Sequence, residues 1–138
     1  MPDGTVEARV SPRLPSISDT LRRRRAATPP PGEHAVDNLT GALLVATRGT
    51  WQLLEGYDES YFMYFEDADL CHRAKRAGIQ AILAAEAVTH RVGGTETAPG
   101  ARARWYRDGQ RRYFARWRPR WEQMALHALV RLSGQDGA

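Results

Sequence analysis

Apolar positions along the chain gather into short runs separated by glycine, proline and charged residues, and the spacing inside each run predicts its element. Leu39-Thr40-Gly41-Ala42-Leu43-Leu44-Val45-Ala46 is continuous enough for a buried strand, in which Gly41 marks a bulge or lets another group approach the backbone. Arg48 to Leu54 predicts a short helix with Trp51 and Leu54 as its apolar side and Gly56 as its end. Tyr61 to Phe65 is too short for an independent helix and rich in β-formers, which predicts a short buried strand or strand end. From Ala68 to Ala77, residues Leu70, Ala74 and Ala77 share one side of a helix, His72, Arg73, Lys75 and Arg76 cover the other, and Gly78 stops it. Ile79 to Ala84 reads as a strand, and Glu86-Ala87-Val88-Thr89-His90 leads to a Gly93-Gly94 loop.

The last third is helical in pattern. Ala101 to Trp117 carries Tyr106, Tyr113, Phe114 and Trp117 at helical spacing, with Gly109 a weak point and Pro119 the break. Beyond it, Trp121, Met124, Ala125, Ala128, Leu129 and Leu132 form one apolar stripe, which suits core packing or a helix lying in a bilayer interface. By contrast, residues 1–36 read as a poorly ordered, basic and proline-rich segment, with an edge strand over Thr5 to Val10 and a short helix near Ile17 to Arg24 as its most regular parts. These patterns divide the chain into that segment, a central portion over 37–117, and an amphipathic helix and tail over 118–138.

With 138 residues, 42% of them hydrophobic, the chain can bury one modest core. The formal net charge of +4 comes mainly from arginines bunched at Arg22 to Arg25 and between Arg102 and Arg120. Bunching of this kind suggests a nucleic-acid, anionic-lipid or phosphate partner without choosing among them. The single Cys71 excludes an internal disulfide and suits a reducing cytoplasm. Met1-Pro2-Asp3-Gly4 does not begin a signal peptide, and no stretch reaches the roughly 20 apolar residues of a membrane span.

The chemistry concentrates where the aromatic run Tyr61 to Phe65 meets Glu66, Asp67 and Asp69. A carboxylate beside apolar side chains becomes a better proton acceptor, as a general base must be. Acids at the start of a helix more commonly serve as caps, and Asp67 or Asp69 taken alone fits that role. Asp69 and Arg73 have the spacing of an ion pair one turn apart. Asp67 is left at the corner, where a side chain can face a cleft. His90 at the edge of a glycine loop is, on local context, an ordinary surface histidine.

Taken in order, the Thr40-Gly41-Ala42 segment, Gly56-Tyr57-Asp58-Glu59, the run Tyr61 to Arg73, Gly78, and Glu86 to His90 with Gly93-Gly94 resemble the family 2 glycosyltransferases, in particular the rhamnosyltransferase-like branch that builds bacterial cell-wall polysaccharides. The resemblance covers roughly residues 37 to 117. It implies an α/β fold, an incomplete GT-A domain lacking the amino-terminal nucleotide-binding half. It implies inverting transfer from a nucleotide-diphospho-sugar donor to a glycolipid or polysaccharide acceptor, with Asp67 as the general base. Glu66, Gly41 and Trp51 would bind substrate, with Glu66 holding the acceptor or orienting Asp67, and Asp69 and Arg73 would be a supporting pair. His90 matches a ligand of a divalent metal, Mg or Mn, although the Asp-x-Asp motif that takes most of that metal is absent. Glu55 stands where a glycine is usual before Gly56, and Ala85 where proline often precedes Glu-Ala.

The expected role is therefore the acceptor side of a transferase, present as a fragment or as one part of a split enzyme with the donor half on a separate chain. The expected place is the cytoplasm, peripheral to the inner membrane face, with no nucleic-acid partner. Two other readings stand beside it: a non-catalytic basic module binding nucleic acid or anionic lipid, and a small metal-binding protein using Glu66, Asp67, His72 and His90.

Overall fold

The computed structural model describes residues 13–22, 32–41, 43–84 and 100–132. Five helices and two strands follow in order among them: α1 (Ile17–Arg22), β1 (His34–Val36), α2 (Arg48–Leu53), α3 (Glu66–Arg76), β2 (Ala81–Leu83), α4 (Ala101–Trp117) and α5 (Arg120–Leu132). The two strands pair antiparallel, His34 opposite Leu83 and Val36 opposite Ala81. Thr47 caps α2 by accepting the Thr50 N–H, and the chain leaves that helix through Glu55 and Gly56, both with positive φ.

The core forms where α3, α4, α5 and α1 meet. Ile17, Tyr61, Phe65, Ala68, Tyr113, Phe114, Leu126 and Val130 make one buried cluster. Tyr113 and Phe114 are almost wholly inaccessible, each contributing about 1.5–3 kcal/mol of transfer free energy before entropy is charged against it. A smaller cluster, Leu54, Leu70 and Ala74 with Leu44 and Ile79 against it, lies on the other side of α3.

Several expectations change here. Tyr61 to Phe65 is a bend and not a strand: Tyr64 and Phe65 both have φ 70°, and α3 begins directly after them at Glu66, two residues before the sequence places its start. The run is apolar because Tyr61 and Phe65 enter the helical core, while Phe62 stays exposed and meets Trp105 at 4.8 Å. The segment around Gly41 is irregular among its described residues, with Leu43 and Val45 exposed, and no strand among the described residues pairs with it to complete a ladder.

The segment read as poorly ordered supplies both a helix and a strand. The Ile17 N–H donates to Glu122 Oε2 at 2.9 Å, and Arg118 holds the same carboxylate, which docks α1 on α5. Burial alone would raise the Glu122 carboxyl, but these partners hold it below its ordinary range. Along α5 the apolar stripe splits. Leu126 and Val130 are buried with Glu122, Ala125 and Leu129 pack at the core's edge, and Trp121, Met124, Ala128 and Leu132 face outward. The expected edge strand over Thr5 to Val10 lies outside the described residues.

Candidate functional site

The corner at Tyr64 and Phe65 delivers three carboxylates, Glu66, Asp67 and Asp69, into the first turn of α3, at the positive end of its dipole. Asp67 Oδ2 accepts the Gly41 N–H at 2.9 Å, and Oδ1 accepts the Ala68 N–H at 2.7 Å. A Cβ added at Gly41 would lie 3.6 Å from Asp67 Cβ and 3.7 Å from the Tyr57 hydroxyl oxygen, so the loop passes within van der Waals range of both. Of the two sequence readings of Gly41, close approach is the one found. Because a carboxylate oxygen has two lone pairs, each Asp67 oxygen keeps one after its backbone bond.

Tyr57 is the site residue that sequence reading missed. An aromatic in the otherwise polar turn Gly56-Tyr57-Asp58-Glu59 was the available signal. Burial, then the charges of Asp67 and Glu66, raise its phenol above the ordinary range, which keeps it protonated as a donor. Its ring meets Trp51 edge-on at 5.3 Å, so Trp51 adjoins the Gly41–Asp67–Tyr57 cluster through it. Glu66 lies beside this cluster, and its Oε2 is buried without a hydrogen-bond partner among the described residues. Burial, reinforced by the Asp67 charge, raises the Glu66 carboxyl. A groove of about 420 Å³, walled by Leu39, Val45, Trp51, Leu70, Cys71 and Ile82, opens one helical turn beyond Asp67.

Asp69 and Arg73 have a different task. Asp69 is fully buried and accepts from Arg73 Nε at 2.8 Å, Trp117 Nε1 at 2.6 Å and Arg116 Nη1 at 3.1 Å. Arg73 also donates to the carbonyls of Leu54 and Gly56, the latter at 2.8 Å. The pair therefore clamps the α2 turn, α3 and the end of α4, which fixes the corner from behind. Nothing in the sequence linked Asp69 to Trp117, 48 positions away. His72, expected on the polar side, instead stacks on Trp117 at 4.2 Å and shares a hydrogen bond of 3.0 Å with Tyr113.

The metal implied by the resemblance finds no fitting donor set in the described residues. No three His, Cys, Asp or Glu side chains gather there as a metal-binding group. His72 is turned into α4, and His90 lies outside the described residues, as do Glu86 to Thr89 and Gly93-Gly94.

Comparison with known proteins places this corner in context. Over 73 residues the chain is 36% identical to the N-acetylglucosaminyl-diphospho-decaprenol L-rhamnosyltransferase of Mycobacterium tuberculosis, in both strain CDC 1551 / Oshkosh and strain ATCC 25618 / H37Rv. That stretch is 51% of this chain and 24% of each relative, so the chain matches about a quarter of their length. The relationship is glycosyltransferase-like over that half of the chain. No family model matches, and no solved structure matches. Among the described residues no helix is long and apolar enough to cross a membrane.

Proposed function

We propose that this chain is the acceptor-side part of an inverting glycosyltransferase, with Asp67 as the base that activates the acceptor hydroxyl. The acceptor class is a sugar linked through diphosphate to a polyprenol and the transferred group is a deoxysugar, as the name of the mycobacterial relatives has it, while a nucleotide-diphospho-sugar donor is what the resemblance implies. The observation that carries this reading is the Gly41–Asp67–Tyr57 cluster. There a carboxylate is fixed by two backbone bonds, retains free lone pairs and has a protonated phenol beside it.

An alcohol is a poor nucleophile at neutral pH, so its proton must leave as its oxygen attacks. In the proposed step that proton passes to Asp67 while the new bond forms to the donor's anomeric carbon. The bond from that carbon to the diphosphate breaks, and its electron pair departs with the diphosphate. A base on the face opposite the leaving group gives inversion. Tyr57 orients the acceptor, its phenol donating a hydrogen bond, and Glu66 acts from beside Asp67, each carboxylate's charge bearing on the other. The donor site would come from other polypeptide, either elsewhere in a longer protein or on a second chain.

The basic-module alternative has less support, because several of its arginines are occupied. Arg116 bonds to Asp58 and Asp69 and lies over Trp117, Arg118 holds Glu122, and Arg112 lies over Tyr61. The test is an amide-resonance titration of the chain with N-acetylglucosaminyl diphosphate and, separately, with a single-stranded oligonucleotide. Shifts confined to Gly41, Tyr57 and the start of α3 with the sugar diphosphate support the proposal. Shifts spread along the α4 arginines, stronger with the oligonucleotide and steeply salt-dependent, would replace it with the basic-module reading.

A further inference from the structure

The outer face of α5 takes no part in the core, and its side chains divide cleanly. Trp121, Met124 and Leu132 are 63%, 71% and 85% exposed, and with Ala128 they follow helical spacing down one continuous strip. Arg120, His127 and Arg131 run down the adjoining edge of the same exposed face. The only carboxylate in the helix, Glu122, is turned inward and buried between Arg118 and the Ile17 N–H. The solvent side of α5 is thus apolar and cationic, with no acid to repel an anionic surface.

We infer that this face docks on an anionic lipid bilayer, with α5 lying in the plane of the interface, Trp121, Met124 and Leu132 entering the acyl boundary, and Arg120 and Arg131 meeting lipid phosphates. Charge complementarity selects this occupant. An apolar strip alone would suit a second copy of the chain, but a copy brought against the strip would set the same cationic edges close together without compensating acids. A tryptophan at the head of a short amphipathic helix with arginine at both ends is the pattern of an interfacial segment, which binds through buried apolar area plus attraction to anionic headgroups. With 13 residues α5 is far too short to span a bilayer, and lying flat is the geometry left to it. The inference rests on α5 alone and stands whether or not Asp67 is a base.

Flotation with vesicles of phosphatidylglycerol and phosphatidylcholine, against vesicles of phosphatidylcholine alone, tests it. The chain is expected to float with the anionic vesicles and to lose roughly fivefold in partitioning for each of Arg120→Gln and Arg131→Gln. A Trp121→Ser, Met124→Ser, Leu132→Ser variant should lose more than about tenfold while keeping its melting temperature, since all three side chains are exposed. Brominated lipids should quench fluorescence in the wild type and quench it much less in Trp121→Phe. Equal binding by the triple variant would overturn the proposal. So would absence of flotation, including the case in which the wild type dimerises and the triple variant does not, since the face would then belong to a second copy.

Discussion

Gly109 shows how one missing side chain shapes the candidate site. A Cβ there would stand 2.5 Å from the Tyr64 carbonyl oxygen and 3.3 Å from the Phe65 ring, so α4 approaches the corner only because residue 109 is glycine. Alanine gains roughly 1 kcal/mol over glycine in a helix interior. Overpacking costs about 1–3 kcal/mol, and a clash with backbone lies at the upper end because it cannot be relieved by a rotamer change. Gly109→Ala should therefore lose about 1–2 kcal/mol net, read as a lower denaturation midpoint at unchanged m value. A gain in stability would mean that the corner is looser than described. The sequence marks Gly109 only as a weak point in a helix; its purpose depends on Tyr64, 45 positions earlier, which no local pattern can show. Glu55 is a departure whose cost becomes visible only in structure, since it holds φ 58° where a glycine would be unstrained.

At the scale of elements, what the sequence discloses divides by the range of the interactions involved. The α4 bounds coincide with the sequence expectation, and α2 and α5 lie close to theirs, because helical periodicity, Gly56 and Pro119 act within a few residues. Strands need partners. The run around Gly41 has strand chemistry without a paired strand among the described residues, and β1 has a partner in β2 that its own three residues do not announce. The choice of buried face on α5 was equally hidden, since Glu122 is drawn inward only by Arg118 and by the arrival of α1.

The contact between α3 and α4 makes a prediction about pH. Burial first, then Arg118 and Arg76, lowers the His72 imidazole below its ordinary 6.5. The unfolded chain then binds more protons than the folded one as pH falls through 6.5, so this contribution to stability declines on acidification and levels off once the folded imidazole has also titrated. His72→Phe keeps a ring against Trp117 and has no proton to gain. Relative to it, wild type should lose melting temperature between pH 7 and pH 5. Parallel profiles for the two proteins would show that His72 is not held neutral by this contact.

At the scale of the whole molecule, the clamp and the corner have separate tasks. Asp69, Arg73, Arg116 and Trp117 tie three elements together behind the corner, and this rigid backing lets Tyr64 and Phe65 hold left-handed conformations. In front, Asp67 meets the Gly41 loop beside Tyr57, and the apolar groove opens one helical turn further along α3. The importance of the Glu66–Asp67 region could be read from the sequence because three acids follow an aromatic run. Which acid faces the loop and which is buried could not, because that depends on where the corner turns. Expected substrate contacts at Gly41 and Trp51 fall in or beside one cluster with Asp67, while His90 lies outside the described residues.

The most direct measurement is the initial rate of sugar transfer by this chain joined to the donor-binding half of a mycobacterial relative, for wild type and Asp67→Asn, with circular dichroism on both. Asparagine retains an oxygen for the Gly41 N–H but cannot take a proton at neutral pH. The account predicts a loss of at least about 10²-fold in rate with an unchanged spectrum and a melting temperature lowered only as far as the lost hydrogen bond from the Ala68 N–H requires. Turnover within a few-fold of wild type in a folded Asp67→Asn protein would contradict it and remove the base from this corner.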